Sequence, residues 1–200
     1  MSNKLFKIYA ILVFGIIVLG SSFYFISRED NGLIEEQEKT LNIENIFSNK
    51  TEKSDKAINA DEIVNLAKNY TNDKAKFSFS YPSNFIVNEF ESEGNKKTLT
   101  IQNVKTGEGL QIYITPYEDS DFTVSAERIR RDLPDLPFSN SADVVVGSKA
   151  KGVAFFSENE AFKGQTAEVW FADGKIFFQA TASAKDARLL EEIVKSWRFK

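Results

Sequence analysis

The chain has 200 residues, with 25 Lys plus Arg against 29 Asp plus Glu for a net charge of −4, and it contains neither cysteine nor histidine. Without Cys there is no disulfide, thiolate metal site or cysteine nucleophile; without His the usual base near neutral pH, the Ser-His-Asp arrangement and most zinc and haem sites are gone. The one basic cluster, Arg128, Arg130 and Arg131, is flanked by Glu127 and Asp132, so no nucleic-acid footprint stands out and no nucleic-acid partner is expected.

Residues 8–26 form an uncharged apolar run, preceded by Lys4 and Lys7 and followed by Arg28, Glu29 and Asp30. As a helix, nineteen residues reach about 28 Å, close to the roughly 30 Å of a bilayer's hydrocarbon core. Positive charge ahead of the span and acids behind it place the N-terminus in the cytoplasm and the rest of the chain outside it. A cleaved secretory signal shares the basic start, but its apolar core is shorter and ends in a small-x-small site. Here Gly20, Ser21 and Ser22 make a poor site, and Phe23 to Ile26 prolong the run. The expectation is an uncleaved, single-pass signal-anchor over residues 1–28, with the membrane contacted through residues 8–26.

Residues 29–76 turn polar and read as a linker, a tether with an r.m.s. reach of roughly 40 Å if it behaves as a random coil. One island interrupts it. Asn59 is a candidate cap with Glu62 three positions on, and Ile63, Leu66, Ala67 and Tyr70 recur at helical spacing, which predicts a short helix near residues 60–70. Its apolar stripe could dock on the following domain, moving the domain boundary from 77 toward 58.

From residue 77 onward the pattern becomes extended. Phe77, Phe79 and Tyr81 alternate with Ser and stop at Pro82, as a half-buried strand does. Further strands are predicted at 85–90, 98–104, 110–115, 143–146, 152–156, 166–171 and 175–181. The last two flank Asp173-Gly174, the dipeptide favoured in a type I′ hairpin turn. A helix over 125–133 opens behind Asp121 and Thr123 as candidate caps and ends before Pro134. A second begins at Ser183, with Asp186 three residues later, and carries Leu190, Ile193, Val194 and Trp197 on one face to the chain's end. Phe155-Phe156 and Phe177-Phe178 put aromatics on both faces of their strands, which predicts a sheet covered on both sides. These elements specify an α+β domain over 77–200, an antiparallel sheet flanked by helices.

The opening Phe79-Ser-Tyr81-Pro82 with Phe85, the central helix, the late hairpin and the ending Ser196-Trp197-Arg198-Phe199 resemble the PsbP/Mog1-like superfamily over residues 77 to about 200. The resemblance implies an α/β/α sandwich and a non-catalytic accessory role, since members bind larger assemblies such as photosystems, or a small GTPase. It supplies no ligand residue.

Several groups invite chemistry and each has a plainer explanation. Glu89, Glu91 and Glu93 share a strand face and could collect a hard cation, but they lack the pattern of a calcium loop. Glu118, Asp119 and Asp121 precede a helix, where carboxylates are stabilised, and Glu158 and Glu160 sit in a turn. Ser148-Lys149 and Ser183 with Lys185 could be Ser-Lys pairs only if their side chains met. Gly107-Glu-Gly109 is too short for a phosphate loop and reads as a hairpin turn. No catalytic, cofactor-binding or metal-ligating residue is assigned, and no cofactor is expected. The sequence reads as a membrane-anchored, extracytoplasmic, non-catalytic interaction module with a protein partner. The alternatives are a carboxylate-dependent hydrolase acting on envelope polymers, or a domain binding a small ligand or ion.

Overall fold

The computed structural model describes residues 64–117 and 123–200. The apolar run 8–26 and the acids 118–121 lie outside them. Among the described residues, ten strands form two antiparallel sheets. Strands β1 (Lys68–Asn72), β2 (Phe77–Tyr81) and β10 (Arg198–Phe199) make a small sheet in the order β1-β2-β10. The large sheet has the order β3-β4-β5-β9-β8-β7-β6, from β3 (Ile86–Ser92), β4 (Lys96–Gln102), β5 (Gly109–Pro116), β6 (Phe138–Val146), β7 (Ala150–Asn159), β8 (Gly164–Asp173) and β9 (Ile176–Ser183). Helix α1 (Ala126–Asp132) lies between β5 and β6, and α2 (Ala187–Lys195) follows β9. Among the described residues no helix is long and apolar enough to cross a membrane.

Period-two patterning sorts the large sheet's side chains between two cores. On one face Leu99, Ile112, Phe156, Phe171 and Phe178 pack against Phe77 and Phe79 of the small sheet and Leu190, Ile193 and Trp197 of the C-terminal segment. On the other, Val153, Phe155, Trp170 and Phe177 pack against Val124, Ile129, Leu133 and Leu136 around α1. Each consecutive Phe pair is therefore divided between the cores, as alternation requires. Trp197 is fully buried, stacked on Phe77 at 4.7 Å and Phe79 at 5.2 Å and edge-on to Phe171 and Phe178. The expected sandwich with helices alone on both faces is thus corrected: on one face a three-stranded sheet shares the covering role with α2.

The helix expected at 60–70 is also corrected. Residues 60–63 lie outside the described residues, 64–67 are not helical, and Lys68–Asn72 is strand β1, paired with β2 from Lys68↔Tyr81 to Asn72↔Phe77. Tyr70 stacks on Phe79 at 5.0 Å, so pairing with the next strand outweighs a coincidental helical spacing. The folded body accordingly begins before residue 77. At the other end α2 stops at Lys195 instead of running to the terminus, and Arg198 and Phe199 pair with Ser78 and Phe77 of β2. Ser196 joins the two elements, its hydroxyl accepting from the Ser80 amide at 2.8 Å and donating to the Ile193 carbonyl at 2.7 Å.

Three local details shift as well. The cap of α1 is Ser125, whose Oγ accepts from the Arg128 amide at 3.2 Å. Ahead of α2 the chain makes a 3-10 turn, and the Ser183 hydroxyl donates to the Asp186 carboxylate at 2.9 Å instead of capping the helix. The β8–β9 hairpin forms, but Asp173 pairs with Ile176, so the loop is Gly174-Lys175. Only Gly174 there has a positive φ, +55°, which suits glycine at the first central position of a two-residue turn and not a type I′ turn centred on Asp173-Gly174.

Candidate functional site

The acidic strand face does not assemble a cation site. Lys97, directly across from Glu91 in the β3–β4 pairing, reaches Glu89 at 2.5 Å and Glu91 at 3.6 Å. The hydrogen bond from Lys97 holds Glu89 below the usual carboxylate range, and the same bond raises the lysine. Neither serine singled out from the sequence is bonded to a lysine. Ser148 donates to the Gly147 carbonyl, Lys149 pairs with Asp173 at 3.0 Å, and Ser183 is bonded to Asp186. Gly107 closes the β4–β5 turn by donating to the Asn103 carbonyl at 2.9 Å, as a hairpin turn should.

Two arrangements emerge that the sequence did not single out. The first is buried. Thr166, Glu168 and Trp170 alternate along β8 and share a face, and Thr181 lies directly across from Glu168 on β9. The Glu168 carboxyl receives hydrogen bonds from Thr166 Oγ1 at 2.8 Å, Thr181 Oγ1 at 2.6 Å and Trp170 Nε1 at 3.1 Å. Burial pushes its pKa up to about 7 even though all three bonds pull it down. On the same face and next in the ladder, Gln179 lies between Trp170 and Tyr113. Its Oε1 is buried without a hydrogen-bond partner. A dehydrated, protonatable carboxyl therefore sits in a cradle of neutral donors. The only sequence signal was a charged residue on an otherwise aromatic and β-branched strand face.

The second arrangement is open to solvent. Where the small sheet leans over one end of the large one, the β1–β2 turn, the β3–β4 hairpin, the end of β5 and the start of β9 enclose a cleft of about 310 Å³. That lies at the low end of the range for ligand pockets. Ala75, Ile114, Pro116 and Ile176 supply its apolar surface, and Lys74, Lys96, Lys97 and Lys175 supply positive charge against one carboxylate, Glu91. The walls are locally determined. Asn72 is buried, its Oδ1 accepting from the Ala75 amide at 2.8 Å and its Nδ2 donating to the Tyr70 hydroxyl at 3.2 Å, which folds the turn back over the core edge. Across the cleft, Gly94 and Asn95 turn the β3–β4 hairpin in the left-handed region, with φ of +74° and +59°, where Gly and Asn are the most tolerant residues. The lysines come from positions far apart in the chain, so no local motif announced them.

No protein-family model matches the chain, and no curated protein matches it. Among solved structures it is similar to the solution structure of cyanobacterial PsbP (CyanoP) from Synechocystis sp. PCC 6803. The identity is 11% and the TM-score 0.48, over 70% of this chain and 96% of that one. The likeness is a loose PsbP-like resemblance of fold.

Proposed function

We propose that the chain is a single-pass membrane protein whose C-terminal domain lies outside the cytoplasm and serves as a non-catalytic interaction module for a protein partner. The observation that carries the reading is the uncharged run 8–26, long enough to span a bilayer, with Lys4 and Lys7 before it and acids soon after Arg28. The non-catalytic part is supported by where the acids are committed. Glu89 and Glu91 are engaged by Lys97, and Glu168 is enclosed by Thr166, Trp170 and Thr181. A carboxylate-dependent hydrolase needs two acids facing across a cleft at about 5 to 9.5 Å. Among the described residues lining the cleft there is one, Glu91.

A reporter that is active only outside the cytoplasm, fused after Lys200, tests the topology. The expected result is activity, with the full-length protein staying in the membrane pellet after alkaline extraction. A silent reporter, or a domain shielded from protease added to cells whose outer surface has been made accessible, would overturn it.

A further inference from the structure

We propose that the cleft between the β1–β2 turn and the β3–β4 hairpin binds a small, free organic anion of carboxylate or phosphate type that carries an apolar portion. This reading does not depend on the membrane topology. Its first support is convergence. Lys74 and Lys175 come from two separate turns and Lys96 from the start of β4, and all three open onto one cavity, in a chain whose net charge is negative.

The second support is the state of these lysines. Lys97 is satisfied by Glu89 and Glu91, and Lys149, Lys195 and Lys200 each have an acid within 4.0 Å. Lys74, Lys96 and Lys175 have no such partner among the described residues, as is true of Lys151 and Lys163 elsewhere on the surface, but these three share one opening. Three uncompensated ammonium groups around one opening repel one another, and an anion relieves that repulsion with each charge it brings.

The third support is the cavity's mixed surface. Ile114 and Ile176 border the main core, so the floor is apolar while the rim is cationic. A bare inorganic ion would use only the rim, and an uncharged apolar molecule only the floor. The volume of about 310 Å³ suits a small molecule and not a folded partner. Lysine supplies point charges without the planar fork of arginine, so the site selects charge and size more than one particular oxoanion geometry.

The test is an NMR titration of amide shifts in the full chain, held in non-ionic detergent, with four probes. Phenyl phosphate carries both features, inorganic phosphate the charge alone, benzyl alcohol the ring alone, and glycerophosphoglycerol represents a lipid headgroup. The expected result is saturable shifts confined to the cleft, at residues such as Ala75, Asn95, Lys96 and Ile176, for phenyl phosphate. Its affinity should exceed that for inorganic phosphate by about tenfold, a margin that burial of a ring supplies. Lys96→Glu and Lys175→Glu should each weaken binding by about fivefold or more, more strongly at low salt. Lys151→Glu, on β7 far from the cleft in the sheet order, should leave it unchanged, and amide spectra report whether each variant is folded. Equal affinity for inorganic phosphate would remove the apolar half of the proposal. Tighter binding of glycerophosphoglycerol would assign the site to a lipid headgroup instead of a free ligand. Unsaturable shifts spread over surface lysines, or binding indifferent to both cleft variants, would overturn it altogether.

Discussion

The two faces of the large sheet each hold one tryptophan, in contrasting surroundings. Trp197 lies on the face closed by the small sheet and α2, within van der Waals reach of Phe77, Phe79, Phe171 and Phe178, and its indole Nε1 is buried without a partner. Trp170 lies on the face covered by the seven-residue α1, edge-on to Phe155 and Phe177, and its Nε1 donates to a buried carboxyl. The first face is held chiefly by aromatic and aliphatic packing and tolerates an unmet donor. The second gives up apolar contact to house Glu168, and its stability therefore depends on protonation. One sheet thus carries a core closed by aromatic packing and another with a buried carboxyl on the sheet itself, distinguished by what a single strand position offers to its neighbours.

The largest effect that would sharpen this contrast is at Trp197. Trp197→Ala removes the ring around which the small sheet, the large sheet and the C-terminal segment meet, and should cost about 3 to 5 kcal/mol. Denaturant melts of the variant should show that loss at every pH. A midpoint within a few tenths of a kcal/mol of the parent would mean that the face does not depend on the indole.

Next comes Glu168→Gln, where the sign depends on pH. Below about 4.5 the carboxyl is protonated in both the folded and the unfolded chain. As pH rises from there to about 7 the unfolded chain ionises while the folded one keeps its proton, so the stability this group contributes is lost across that window. Glutamine keeps an acceptor for Trp170 and Thr181 and can donate to the Thr166 hydroxyl. The variant should therefore be the more stable protein at pH 8, by up to about 3 kcal/mol from a shift of this size, with the gap closing by about pH 4.5. A gap that is constant across pH would contradict the account.

Gly152→Ala should follow. A β-carbon on Gly152 would stand 2.4 Å from the Trp170 carbonyl oxygen and 2.6 Å from Phe171 Cβ. These belong to the neighbouring strand and cannot swing away, so a loss of about 1 to 3 kcal/mol is expected, read as a lower thermal midpoint. The smallest effect compares the two indoles directly. Trp197→Phe removes an unpartnered N–H, whereas Trp170→Phe takes a donor from Glu168. The second should cost about 1 kcal/mol more at pH 8, and equal costs would erase the proposed difference between the faces.

Much of this fold was legible in the chain because strand patterning is local. Phe77, Phe79 and Tyr81 alternate visibly, and Phe155-Phe156 and Phe177-Phe178 announced a sheet buried on both faces. What escaped were features decided by strand pairing and burial instead of by local period. Tyr70 falls at helical spacing behind Ile63 and Leu66, yet its position is set by Phe77 and Phe79 across a strand pairing. Two residues, Arg198 and Phe199, are too few to show a period, and they become a strand only because β2 offers an edge. Glu168 looked like any charged strand residue, since its burial is imposed by Phe155 and Thr181 on either side. The lysine cleft was invisible because its charges are 22 and 79 positions apart along the chain, at Lys74, Lys96 and Lys175.

The most direct test of the contrast between the two faces is the titration of the Glu168 side-chain carboxyl, followed by its carbon-13 chemical shift in the folded protein. A midpoint near 7 is expected, well above the ordinary glutamate range, because burial outweighs the three hydrogen bonds that favour the charged form. A midpoint near 4.5 would contradict this, showing that the Thr166, Trp170 and Thr181 donors stabilise a carboxylate there and that it lends the second face no sensitivity to pH.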